Sequence, residues 1–104
     1  MNESRMLVSC PFLFGVDHSR ECIESVVHKP NVDCHFIDNG AEQSVKDLLN
    51  HYEASYSNVK VHRNPQNVYV NPAISQSMQY FLEHPEYDYF ISINSDLILY
   101  KNWD

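Results

Sequence analysis

The residues best suited to chemistry are carboxylates and amides that stand just after apolar runs. Tyr89-Phe90-Ile91-Ser92-Ile93 is an aromatic and β-branched run that stops in Asn94-Ser95-Asp96. A carboxylate held there between rigid flanks suits a hard cation, which takes oxygen ligands. One carboxylate does not complete a metal site, so the missing ligands would be phosphate oxygens and water. Three more groups follow apolar runs: Pro11-Phe12-Leu13-Phe14, Asp38-Asn39-Gly40 and Arg63-Asn64-Pro65-Gln66-Asn67. Taken singly, each also suits an ordinary turn, because Asn, Asp and Gly satisfy their own backbone and tolerate left-handed conformations.

Other chemistries find less support. The six histidines (His18, His28, His35, His51, His62, His84) form no H-x-x-x-H or H-E-x-x-H grouping. No serine lies in a G-x-S-x-G elbow, and no cysteine has basic neighbours that would make it a nucleophile. The three cysteines, Cys10, Cys22 and Cys34, include no C-x-x-C pair. An odd, dispersed set reads as small buried hydrophobes in a reducing compartment, so a cytoplasmic location is expected.

The elements that must position these groups alternate. Met6–Cys10 reads as a first strand stopped by Pro11. Ser19 or Asp17 is expected to cap a helix whose apolar face is Cys22, Ile23, Val26 and Val27. Val32–Ile37 reads as a second strand. A helix follows over roughly 42–54, with Val45, Leu48, Leu49 and Tyr52 in one stripe. Val59–His62 reads as a third strand. Asn71 and Pro72 suit a helix start, as N-cap and first helical residue. In that helix Ile74, Met78, Phe81 and Leu82 are expected to face the sheet. Tyr89–Ile93 closes the series, its near-continuous apolarity suggesting a strand covered on both faces. Leu97–Tyr100 reads as a further extended piece.

Strand and helix in alternation imply an α/β domain of three layers, α/β/α, around a mainly parallel sheet. In such a sheet every strand's carboxyl end lies along one edge, where ligands bind. The polar groups above would then share one cleft.

Composition narrows the ligands. A chain of 104 residues makes one domain with a modest core. Its net charge of −7 argues against nucleic-acid binding, which needs a basic face. The same charge means that a phosphate-bearing ligand would need a cation or backbone N–H groups to be held. With only two glycines there is no glycine-rich phosphate loop, which favours the metal route. No apolar run reaches the ~18 residues of a membrane span, so the chain is not expected to be integral to a membrane. The amino-terminal Met1-Asn2-Glu3-Ser4-Arg5 lacks the apolar stretch of a signal peptide.

Four segments in order resemble the nucleotide-sugar-binding half of family 2-like glycosyltransferases of the GT-A fold. Val8-Ser9-Cys10-Pro11 resembles that family's first strand and the start of its nucleotide-contacting loop. His35-Phe36-Ile37-Asp38-Asn39-Gly40 resembles its V-V-D-N-G-S segment, and Arg63–Asn67 its R-N-x-x-N-x-G loop. Tyr87 through Asp96, with Trp103 following, resembles its D-Y-x-x-x-L-N-x-D strand and modified D-x-D motif. Tyr69 stands where the family has glycine.

The resemblance implies a Rossmann-like GT-A half spanning residues 1–104, without the usual acceptor-binding half. It implies a nucleotide diphosphate-sugar donor, such as a UDP- or GDP-sugar, and inverting sugar transfer to an unidentified acceptor. The implied nucleotide-binding residues are Pro11, Phe12, Leu13, Asp38, Asn39, Asn64, Asn67, Asn94 and Asp96. Asp38 and Asn39 would face the base and Asn94 the ribose, while Asp96 would coordinate Mn²⁺ or Mg²⁺ on the diphosphate. In the family the general base lies in the other half, so no catalytic residue is identified. A homodimer is expected, covering apolar surface that the other half would cover. A non-catalytic nucleotide-binding module and a plain α/β interaction domain remain open alternatives.

Overall fold

Seven elements alternate along the chain in the computed structural model, which describes residues 4–94. They are β1 (Met6–Phe12), α1 (Val16–Val26), β2 (Val32–Asn39), α2 (Gln43–Ser55), β3 (Val59–Asn64), α3 (Val70–Leu82) and β4 (Tyr89–Ser92). The four strands form one sheet in the order β3-β2-β1-β4. Every pairing is parallel. The α/β class and the shared carboxyl edge are therefore as expected. The order reverses beside β1, since β2 and β3 lie to one side of it and β4 to the other. A reversal of this kind opens a crevice at the carboxyl edge of a doubly wound sheet.

The two faces of the sheet are built from different materials. On one, Val8, Cys10, Phe12, Cys34, Phe36 and Val59 meet Cys22, Ile23 and Val26 of α1 and Val45, Leu48, Leu49 and Tyr52 of α2. Phe12 and Phe36 pack edge to face with ring centroids 5.2 Å apart. This is the apolar core, and the stripes expected on both helices are the ones buried. All three cysteines are free and buried. Burial pushes the Cys34 thiol up to about 12, so it is not a thiolate at neutral pH.

The other face belongs to α3, and it mixes buried aliphatic side chains, Leu7 and Ile37, with a polar network. Ser9 donates to Ser77 Oγ at 2.5 Å, and Ser77 Oγ lies 2.7 Å from His35 Nδ1. Tyr80 stacks on His35 with centroids 4.4 Å apart, and His84 stacks on Tyr80 at 3.9 Å. The residues of α3 buried here are Ala73 and Ser77, small side chains that let the helix sit close to the strands. The expected stripe is thus rotated off the sheet: Met78 is 38% and Leu82 66% exposed, while Ile74 and Phe81 are half-buried. Apolar periodicity misses this helix face because its inward residues are small, and the serine among them is bonded to Ser9 and His35.

Local starts differ from expectation too. Helix α1 is capped by Gly15 in the left-handed region, not by Ser19 or Asp17, and Ser19 is buried one turn inside. The N-cap of α3 is Tyr69. Asn71 and Pro72 fall within the first turn, where proline's missing N–H has no helical partner to lose. Pro11 lies inside β1 rather than ending it. Ser9 accepts from Ile93 N–H of the chain leaving β4, so Pro11, two residues on, also turns its donor-less nitrogen to that side and spares the β2 ladder.

Strand β4 departs furthest. Among the described residues it is an outer strand paired with β1 alone, and Tyr89 is 56% exposed. Its apolarity serves two contacts. Ile91 and Ile93 join the core, while Phe90 meets Phe81 of α3 at 5.5 Å. The piece expected at Leu97–Tyr100 lies outside the described residues. No helix among the described residues is long and apolar enough to cross a membrane.

Burial, with His62 and His84 nearby, lowers His35 from the ordinary 6.5 to about 4. The unfolded chain therefore takes up this proton well before the folded one. Stability present above pH 6.5 should be lost progressively as pH falls towards 4, by about 3 kcal/mol in all. Urea unfolding across that range would show the decline. The variant His35→Asn, which keeps a hydrogen-bonding atom near Ser77, should flatten most of it.

Candidate functional site

The carboxyl edge of β2 and β3 is organised by one amide. Asn39 and Asn64 are register partners at the ends of the two strands and are buried, at 4% and 6% exposure. Asn39 Nδ2 donates to Asn67 Oδ1 at 2.9 Å and to the Tyr69 carbonyl at 3.5 Å. Asn39 Oδ1 accepts from Val68 N–H at 3.0 Å and from Asn64 Nδ2 at 3.3 Å. Asn64 exchanges a second pair of bonds with Gln76 of α3, at 2.9 and 3.0 Å. The loop 65–69 and the start of α3 are thus fastened to the strand ends by side-chain amides.

Asp38 points to the opposite face, towards α2. Its Oδ1 accepts from Ala41 N–H at 2.9 Å, and Lys46 donates to both carboxylate oxygens at 3.2 and 3.0 Å. The pair is largely enclosed, with Asp38's side chain 5% exposed. A lysine in a helix's first turn opposes the macrodipole, so its position reflects this specific partner. At the neighbouring strand end, Glu42 N–H donates to the Leu13 carbonyl at 2.9 Å, and Gly15 N–H donates to Glu42 Oε1 at 3.0 Å. These bonds tie the loop after β1 to the one after β2.

The structure therefore draws Asn39, Asn64 and Asn67 into one bonded cluster, with Asp38 beside it in the chain but turned to the other face. Phe12's ring is fully buried, so at this edge it offers only backbone. Pro11 and Leu13 are half-buried beside it. Asn94 lies beyond β4 across the order reversal, exposed, its carbonyl accepting from Cys22 Sγ at 3.6 Å. Asp96 lies outside the described residues. Arg63 is turned away from the rim, bonded to Asn50 and Glu53 of α2, each at 2.7 Å. Among the described residues no three His, Cys, Asp or Glu side chains are grouped to hold a metal ion. A cation here would need ligand oxygens to complete its shell, as hard divalent ions accept.

Sequence reasoning missed Lys46 and Gln76. Lys46 carries the first-turn signal just noted, whereas Gln76 carries none, because an amide at a half-buried helix position is common. Tyr69 was marked only as a residue standing in place of glycine. Its backbone has φ 70° and ψ 174°, a region that is almost exclusively glycine's and costs other residues about 1–3 kcal/mol. Asn67 Oδ1 accepts from its N–H at 2.7 Å, and Asn39 holds its carbonyl. Its ring is 74% exposed, and Phe14, after β1, is 68% exposed.

Gly40 explains how the loop lies so close to β2. Its φ is +69°, and a β-carbon there would stand 2.6 Å from the Gln66 carbonyl carbon and 2.7 Å from Asn67 N. Those are backbone atoms and cannot swing away. Gly40→Ala should lower unfolding free energy by about 2 kcal/mol or more. Chemical denaturation would read this, and a variant as stable as the parent would mean that the loop moves freely.

A family model for glycosyl transferase family 2 matches residues 19–104, from within α1 to the last residue. A search of curated proteins finds no match. The matched span takes in Asp38, Asn39, Asn64, Asn67, Asn94 and Asp96, and β1 with Pro11, Phe12 and the following Leu13 precedes it. With a match over most of its length, on an all-parallel sheet, the chain belongs to glycosyl transferase family 2.

Proposed function

We propose that this domain binds a nucleotide diphosphate-sugar, of the UDP or GDP kind, along the carboxyl edge of its sheet and serves sugar transfer to an acceptor. The observation that carries the reading is the strand order, which reverses beside β1 at the edge where Asp38, Asn39 and Asn64 end their strands. Family membership supports the reaction class. In this reading Asp38 and Asn39 face the base, and Asp38 Oδ2, accepting from Lys46, keeps lone-pair capacity for a base N–H. Asn94 faces the ribose across the crevice. Pro11, Phe12 and Leu13 border the nucleotide through their backbone, and Asn64 and Asn67 shape the wall opposite.

Asp96 would hold Mn²⁺ or Mg²⁺ together with diphosphate oxygens and water. When bound, such an ion neutralises the diphosphate beside a protein of net charge −7 and favours its departure as a Lewis acid.

The alternative reading is a nucleotide-binding module without catalysis that uses the same edge.

Calorimetry with UDP and GDP, with and without Mn²⁺, tests the shared part. Metal-dependent binding that Asp96→Ala abolishes is expected, and unchanged binding in that variant removes the role assigned to Asp96. Hydrolysis or transfer from a panel of nucleotide-sugars then separates enzyme from binding module. The homodimer would use apolar surface such as Met78, Leu82 and Tyr89. Light scattering should give a dimeric mass, and a monomer at high concentration removes that part of the reading.

A further inference from the structure

We propose that Tyr69 is a stacking platform for the nucleobase of the donor, an inference that rests on the donor-site reading above. Three observations converge on it. The first is conformational: Tyr69 holds φ 70° and ψ 174°, where glycine would sit without strain. Its amide and carbonyl are pinned there by Asn67 and Asn39.

The second is that the ring is largely exposed. At 74% exposure it contributes little to any core. Among the described residues it stacks on no other ring, and its hydroxyl has no hydrogen-bond partner. A largely exposed aromatic side chain held in a strained conformation is not explained by stability. Strain of this kind persists where the surroundings enforce it, and such positions cluster at ligand sites.

The third is place. Tyr69 is fixed through Asn39, the residue next to Asp38, at the end of β2. A ring displayed there can cover one face of a planar base whose edge bonds to Asp38. Aromatic rings accept every base, because each base has a π-face. The platform supplies affinity while the carboxylate supplies choice.

The experiment compares the parent with Tyr69→Phe and Tyr69→Gly, by calorimetry in the presence of Mn²⁺, using UDP, GDP and inorganic pyrophosphate. Thermal unfolding of each protein is recorded alongside. Tyr69→Phe should bind both nucleotides as the parent does. Tyr69→Gly should bind them about 5- to 150-fold more weakly, the range for losing one base–aromatic stack. It should also melt higher, because glycine relieves the positive φ. Pyrophosphate has no ring and should bind all three proteins alike.

If Tyr69→Gly binds UDP and GDP as tightly as the parent, the platform is wrong. It is equally wrong if pyrophosphate affinity falls in step with the nucleotides, since the residue then merely shapes the loop. A parent that binds neither nucleotide overturns the donor-site reading, and the platform with it.

Discussion

The carboxyl edge of this domain depends on the enclosed side-chain amide of Asn39. An amide offers two donors and an acceptor with two lone pairs. Here they reach the neighbouring strand at Asn64 and the following loop at Asn67, Val68 and Tyr69. Each bond is worth about 1 kcal/mol net, but leaving a buried partner unsatisfied costs about 1–3 kcal/mol. The loop is therefore held more by the penalty for letting go than by the strength of any single contact. A carboxylate at this position would lose both N–H donors, and an aliphatic side chain would strand Asn64 as well as the loop.

That arrangement gives the two faces of the sheet different tolerances. The face under α1 and α2 is an apolar core in which Phe12, Phe36, Ile23 and Leu49 are fully buried. Such a core accepts aliphatic exchange of similar volume with modest loss. The face under α3 buries Leu7 and Ile37 but also carries a chain of hydroxyl, imidazole and amide groups, where geometry matters more than volume. The ligand edge is continuous with the second face through Asn39, Asn64 and Gln76. Demands made by a ligand therefore fall on the directional part of the interior, and the apolar part carries the bulk of the burial.

This division also explains how much of the molecule could be read from its residues. Alternating apolar runs were enough for the parallel sheet and for the buried stripes of α1 and α2, because burial there follows hydropathy. They failed for α3, whose inner face is Ala73 and Ser77. Hydropathy cannot distinguish a serine that joins two strands from one that faces water. The polar groups after β2 and β3 were legible as an edge, since parallel topology alone puts them there. That Asp38 and Asn39 face opposite ways follows from strand alternation, but their bonding was not legible, because Lys46 and Gln76 come from helices whose side-chain partners periodicity does not specify.

The Ser77 hydroxyl, wedged between Ser9 of β1 and His35 of β2, acts as a key in a slot. Greasy contacts let a helix slide or roll by an ångström at little expense, but a bond to each of two strands does not. At 1.5 Å of rise per residue, Tyr69 sits about 12 Å along the α3 axis from that key. The height and rotation of the exposed ring are thus set partly from beneath the middle of the sheet. Loss of one oxygen atom at Ser77 would be felt at the rim, two turns away.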